Sequence, residues 1–278
     1  MGATGTDDTI VIVGATGQMG TALQQRLGST RARVRPVSRD DDLAAATRDA
    51  TVVVHLAGTI APRYPNTYER ANVGTARTTI RALCGTRVRR VVALSSPGAN
   101  TASSNTFLRT KGQAEALFEE CGMPVTTFRC AHIVGTPVEP GPLVTSLLSR
   151  GDHPVALLGG GRQRWTPLLR EDAIEAIACA CLDSTSPTGT FDLGGPDTVT
   201  LDDLVDRVNG REVRKRHLHG AAAHVIAALL PSLHPATVEI MAADCVLDSE
   251  TTSAAFGLSR HGLDSVWPRV GSPSTATP

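Results

Sequence analysis

Lysine is scarce in this chain. Its 27 basic residues include two lysines, Lys111 and Lys215, and the rest are arginine. A compact ammonium can bond sugar hydroxyls where the planar arginine fork does not fit. Lys111 closes the run Phe107-Leu108-Arg109-Thr110-Lys111. On a helix, positions 107 and 111 share one face, one turn apart. A phenylalanine ring has no proton to give, so any proton needed beside Lys111 comes from another group. Ser95 and Ser96, at the end of an apolar run, carry hydroxyls able to orient a carbonyl, although Ser-Ser-Pro-Gly is also turn chemistry. Further upstream stands Gly14-Ala15-Thr16-Gly17-Gln18-Met19-Gly20. Glycines let a backbone approach a pyrophosphate closely, and a helix N-terminus offers free N–H groups and a positive dipole end.

These residues need elements to hold them. Thr9 to Val13 is a β-branched run ending at Gly14, and Gln18 to Leu27 reads as helix. A strand, a glycine turn and a helix form the first unit of a doubly wound α/β fold. Arg33 to Val37 reads as the second strand. Val52 to Gly58 is nearly continuous in apolar residues, as a strand buried on both faces should be. Arg90 to Leu94, Val125 to Arg129 and Thr190 to Leu193 are further strands. Helical patterns at Tyr68 to Leu83, Phe107 to Glu120 and Arg170 to Leu182 separate them, which predicts a parallel sheet. Only one short helix, Asp41 to Asp49, fits between Arg39 and Val52. The third strand of the 3-2-1-4-5-6 order is therefore expected to be lost or vestigial.

After Gly135 the pattern changes. A proline-rich loop leads to a helix near Leu143 to Arg150, with further helices at Leu201 to Val208 and Gly220 to Leu230. We expect a single domain. Its dinucleotide-binding core takes residues 9–135 and 163–195, and a small substrate lobe takes 136–162 and 196–262. Residues 1–8 and 271–278 are expected to be flexible ends.

Taken together, the glycine turn, Ser95-Ser96 and Lys111 resemble the short-chain dehydrogenase/reductase superfamily. Its extended and atypical members share the Gly14-x-x-Gly17-x-x-Gly20 spacing. Leu56-Ala57-Gly58, Asn72, Arg129 to Gly135, Gly159 to Ala173 and Phe191 to Pro196 add to the resemblance, which spans about Ile10 to Gly262. The branch resembled contains NmrA-like proteins, the nucleotide-binding subunit of respiratory complex I and antibiotic-pathway ketoreductases acting on angucyclinones, as in simocyclinone biosynthesis.

In that family a Ser, a Tyr and a Lys four residues after the Tyr carry the chemistry. The Tyr slot here holds Phe107. The resemblance implies that Ser95, Ser96 and Lys111 remain as catalytic residues. Gly14, Thr16, Gly17, Gln18, Met19, Leu56, Ala57, Gly58, Lys111, Ala131, His132 and Ile133 would hold the cofactor. Ser38-Arg39 ends the second strand, where an Arg accommodates the 2′-phosphate of NADP and an acid would read NAD. NADPH is thus expected over NADH. Phe107, Tyr64, Tyr68 and Trp165 are expected to face the substrate, and Tyr64, Tyr68 and His132 are candidates to replace the missing acid. The remaining source is the substrate itself: a ketone beside a phenol, as in aromatic polyketides, brings its own acidic hydroxyl. The expected activity is NADPH-dependent ketone reduction. The alternative is a non-catalytic NADP-binding regulator or assembly subunit.

Formal net charge is zero and no basic stripe occurs, so no nucleic-acid partner is expected. No apolar run approaches a membrane span, and Met1 to Asp8 lacks a signal-peptide pattern, so a cytoplasmic protein is expected. The six cysteines lack metal-ligand spacing, and no metal is expected. A monomer or homodimer acting on a small molecule completes the reading.

Overall fold

In a computed structural model, the described residues are 8–62, 64–220 and 234–271. They fall into two units. The first takes residues up to Cys130, Ala173–Asp192 and Glu250–Leu258; the second takes Ala131–Asp172, Leu193–Ser249 and residues from Ser259 onward.

The first unit is built on six strands: β1 (Thr9–Val13), β2 (Arg33–Val37), β3 (Val52–His55), β4 (Arg90–Ser95), β5 (Val125–Cys130) and β10 (Gly189–Leu193). Their order is β10-β5-β4-β3-β1-β2, and the pairings of β1 with β2 and β3, and of β4 with β3 and β5, are parallel. This is a Rossmann-like α/β fold with β2 at the edge and, among the described residues, no third strand beyond it. The fourteen-residue interval between Val37 and Val52 leaves room only for the short helix α2 (Leu43–Thr47). Pro36 and the charged Arg33 and Arg35 stand on the uncovered edge, devices that discourage pairing with another chain.

β1 and β3 are buried along their whole length, as their unbroken apolar runs require. Helix α1 (Gln18–Gly28) follows the glycine turn. Glu69–Gly74 forms a turn of π-helix that continues into α3 (Thr75–Leu83). Helix α4 (Thr106–Glu119) is capped by Asn105, whose side chain accepts from the N–H groups of Phe107 and Leu108. A core of Val11, Val53, Val91 and Phe118 lies between sheet and helices. Asp8, expected in a flexible end, is instead buried and paired with Arg89 at 2.8 Å. Residues 1–7 and 272–278, and nearly all of the helix expected at Gly220 to Leu230, lie outside the described residues.

The second unit is assembled from short pieces. They include β6 (Ile133–Val134), α5 (Gly141–Leu147), β7 (Val155–Leu158), β8 (Arg164–Trp165), β9 (Leu168–Leu169), β11 (Val199–Thr200), α7 (Leu201–Asn209), β12 (Lys215–Leu218) and α8 (Pro235–Ala242). They surround a core of Trp165, Leu157, Leu204 and Trp267. Helix α6 (Arg170–Leu182) starts in this unit and runs into the first. Among the described residues no helix is long and apolar enough to cross a membrane.

Candidate functional site

The glycine turn has two kinds of glycine. A Cβ on Gly14, at φ +88°, would lie 2.8 Å from the Ala57 nitrogen, and one on Gly20 would lie 2.4 Å from the Gly14 carbonyl oxygen. Both glycines are demanded by the fold itself, because backbone passes too close for a side chain. Gly17 differs. It has an ordinary φ of −74° as the N-cap of α1, and its Cβ would meet only the Gly14 oxygen, at 3.3 Å. Folding alone hardly needs a glycine there, whereas a dinucleotide pressed onto the helix N-terminus does. Thr16, Gln18 and Met19 surround this position, and α1 has no acid in its first turn to repel a phosphate.

Lys111 projects from α4 toward the end of β4. Its ammonium donates to the Leu94 carbonyl at 2.6 Å, and burial pulls its pKa from 10.5 down to about 8. A Cβ on Gly58 would sit 3.8 Å from that nitrogen and 2.9 Å from Asn72 Oδ1. Asn72, within the π-helical turn, accepts from the Thr59 N–H and donates to Thr110 Oγ1, tying the loop after β3 to α4. The next residue along α4, Gly112, lets the Asn100–Thr101 backbone cross the helix, where a Cβ would approach to 2.5 Å.

A cavity of about 10 Å³, room for one water, lies beside Lys111, Ser95, His55 and Glu115. Ser95 Oγ is buried there without a hydrogen-bond partner among the described residues. A buried hydroxyl costs stability when it has no hydrogen-bond partner, and this one stands beside a desolvated ammonium at a cavity that admits one water. Ser96 is half-buried, its carbonyl accepting from Ala99 in the turn. His55 is enclosed: Nδ1 contacts Thr79 Oγ1 at 3.0 Å, the ring stands edge-on to Phe118, and desolvation pushes its pKa down to about 3. It is a neutral core histidine.

Three of the four residues expected to face substrate are buried. Phe107 is 6% exposed and its ring lies 5.9 Å from that of Tyr68. Tyr68 is itself buried and its hydroxyl donates to the Ile60 carbonyl at 2.8 Å. Trp165 is enclosed in the second unit, donating to the Ala243 carbonyl. Tyr64 alone stands out, at 96% exposure, beside Arg39. The Ser38 N–H and hydroxyl both reach Asp41 Oδ2 at 2.6 Å and hold that carboxyl below its usual range. Arg39 forms no hydrogen bond or ion pair among the described residues.

Ala131, His132 and Ile133 belong to the second unit. There the His132 ring stands edge-on to Trp165, with centroids 4.0 Å apart. Its Nε2 is buried without a hydrogen-bond partner among the described residues, and desolvation lowers its pKa to about 4. No group of side chains able to hold a metal occurs among the described residues, and all six cysteines are free. In the sequence, Glu69–Gly74 reads as part of an ordinary helix, and the apolar rings of Tyr68 and Phe107 are the one signal for their contact.

A strand–glycine turn–helix, an edge arginine after β2 and a desolvated lysine beside a buried serine are set on a Rossmann-like α/β fold. Residues 10–194 match the family described as "NAD dependent epimerase/dehydratase family", and the chain belongs to that family. A curated relative is the mitochondrial NADH dehydrogenase [ubiquinone] 1 alpha subcomplex subunit 9 of Arabidopsis thaliana, 29% identical over 170 residues. The match covers 60% of this chain and 42% of the relative, so the chain spans less than half of that protein. Among solved structures, MoeE5 in complex with UDP-glucose and NAD aligns at TM-score 0.72 and 18% identity, over 94% of this chain and 97% of that one. UDP-glucuronic acid 4-epimerase from Bacillus cereus in complex with NAD aligns at 0.71 and 16%, over 94% and 96%. At such identities the likeness establishes the fold.

Proposed function

We propose that this chain binds NADPH and reduces a ketone on a polycyclic substrate of aromatic-polyketide type, the proton coming from a phenol of the substrate. The reading rests on one observation: Phe107 fills the acid slot while Lys111 and Ser95 remain, both desolvated and facing one cavity. Bound NADPH supplies the hydride. The chain's own residues bind and orient. Gly14, Gly17 and the α1 N-terminus would carry the pyrophosphate, Leu56-Ala57-Gly58 the adjoining ribose and phosphate, and Lys111 the nicotinamide ribose hydroxyls. Ser95 would hold the substrate carbonyl. Arg39 favours the phosphorylated cofactor over NADH.

Epimerisation or dehydration is disfavoured because those reactions need the tyrosine as base. General acid catalysis is worth about 10²–10⁴-fold, so a chain without its own acid depends on substrates that bring one. Loss of reduced-nicotinamide absorbance with a panel of polycyclic ketones, with and without a neighbouring phenol, tests this. Turnover confined to the phenol-bearing members is expected. Equal turnover on both sets would overturn the substrate-proton idea.

A second reading is favoured by the complex I relative: a non-catalytic NADP-binding regulator or assembly subunit, in which Lys111 serves binding alone. Tight NADPH binding with no turnover on any ketone selects it. Under either reading we place the protein in the cytoplasm as a monomer or homodimer.

A further inference from the structure

Glu115 follows Lys111 by one turn of α4, so the two side chains share a face of that helix. Both line the cavity that Ser95 and His55 also reach. Glu115 is 6% exposed, and a carboxylate so enclosed requires partners. Arg129, near the end of β5, supplies them. Its Nε lies 3.0 Å from Oε1 and its Nη2 lies 2.6 Å from Oε2. The same Nη2 donates to the Ala99 carbonyl at 3.2 Å, in the loop after β4. The planar fork thus fixes where the carboxylate stands.

Lys111 has no acid in direct contact among the described residues. Its hydrogen bond goes to the neutral Leu94 carbonyl. The groups around its ammonium come from several elements. From β3 comes His55, a neutral imidazole wherever lysine titrates. From β4 come the Leu94 carbonyl and the Ser95 hydroxyl, and from the π-helical turn comes Asn72. From β5 comes Cys130, whose thiol burial pushes up to about 12, so it carries no charge near neutrality. Arg129, one residue earlier, is turned to Glu115. Asp192, on β10, bears on Arg129 and Cys130. Glu115 is left as the negative charge acting on Lys111, and it opposes the burial that drives the proton off.

We propose that Glu115, pinned by Arg129, is a positioning residue that keeps Lys111 an ammonium near neutral pH, and thereby keeps it a donor to the ribose hydroxyls of a dinucleotide. An ammonium has three N–H donors. With one spent on Leu94, two remain for a pair of hydroxyls. Ligand binding by Lys111 rests on the reading above; its protonation does not.

The chain's two lysines make the test direct. Lysine labelled with ¹³C gives two Cε signals, and Lys111→Met assigns them. In wild type the Lys111 signal should titrate at about pH 8. Glu115→Gln should lower that midpoint by about one pH unit. Glu115→Asp, which keeps the charge, should retain most of it. Arg129→Gln, which leaves the carboxylate, should not lower it. Calorimetric titration with NADPH across about pH 6 to 10 reads the consequence. The ligand's own phosphate ionises alike in every variant, so differences report the protein. Glu115→Gln should weaken NADPH about fivefold at pH 8 and little at pH 6. Melting curves accompany each variant. An unchanged Lys111 midpoint in Glu115→Gln overturns the proposal, and with a lowered melting temperature it leaves the pair a folding device alone. Equal shifts in Glu115→Gln and Arg129→Gln also overturn it. A shifted midpoint that the NADPH profile ignores overturns the ribose role of Lys111 while leaving the charge assignment to Glu115 standing.

Discussion

Lys111 is the residue where stability and use conflict. Its pKa falls from 10.5 in an open chain to about 8 in the fold because burial disfavours the charge. Between those values the unfolded chain holds more protons, so stability rises with pH across that window. Below about pH 8 the folded chain therefore carries an enclosed charge. Lys111→Met keeps the stem and removes the charge. We expect the variant to be more stable at pH 7 by on the order of 2 kcal/mol, with the gain shrinking toward about pH 10. Urea midpoints at the two pH values measure it. The same variant should lose most of its dinucleotide affinity. A variant less stable at pH 7 would mean that the bond to the Leu94 carbonyl outweighs the buried charge, and that Lys111 is kept for folding.

The strand–turn–helix unit makes a different separation, between the glycines required by the backbone and the one a ligand requires. Gly20→Ala places a Cβ 2.4 Å from a carbonyl oxygen and 2.7 Å from Ala15 Cα, both backbone atoms that cannot swing aside. It should cost about 2 kcal/mol or more through overpacking. Gly17→Ala meets one atom at 3.3 Å and should stay within about 0.5 kcal/mol of wild type, yet lose dinucleotide affinity tenfold or more. Melting curves and cofactor titration on the pair decide it; equal stability losses would remove the argument for a ligand at Gly17. This unit was legible in the sequence because β-branched runs, glycine spacing and helical periodicity are local signals. The missing third strand was legible too, since chain length between Arg39 and Val52 sets a hard bound. What Phe107, Tyr68 and Trp165 face was not legible. Burial of an aromatic ring depends on which segments cross above it, and neither the Ile60 carbonyl under Tyr68 nor the Ala243 carbonyl under Trp165 is marked in the chain. The second unit was read only in outline, because two-residue strands such as β6 and β9 carry no periodicity.

Across the whole molecule, buried ionisable groups set the pH at which the chain is most stable. Each unit encloses a neutral imidazole: His55 in the first, lowered to about 3, and His132 in the second, lowered to about 4. In the unfolded chain both titrate at 6.5. As pH falls below that value the unfolded state takes protons the folded state refuses, so stability drops, by on the order of 2 kcal/mol per histidine at about pH 5. On the alkaline side Lys111 adds stability above about pH 8. The buried thiols act against it: Cys130 is pushed from 9.0 up to about 12, and Cys181 is also raised. Above pH 9 the unfolded thiols ionise first, and stability falls again. The balance places the optimum at about pH 8 to 9, on the basic side of neutrality. Thermal melts across pH 5 to 10 should show that maximum. His132→Phe keeps a ring against Trp165 and removes an Nε2 that has no partner. It should cut the acid loss by about half and leave the alkaline limb unchanged. An acid limb identical to wild type would mean that His132 gains a proton without unfolding its unit, through an opening that gives water access to Nε2.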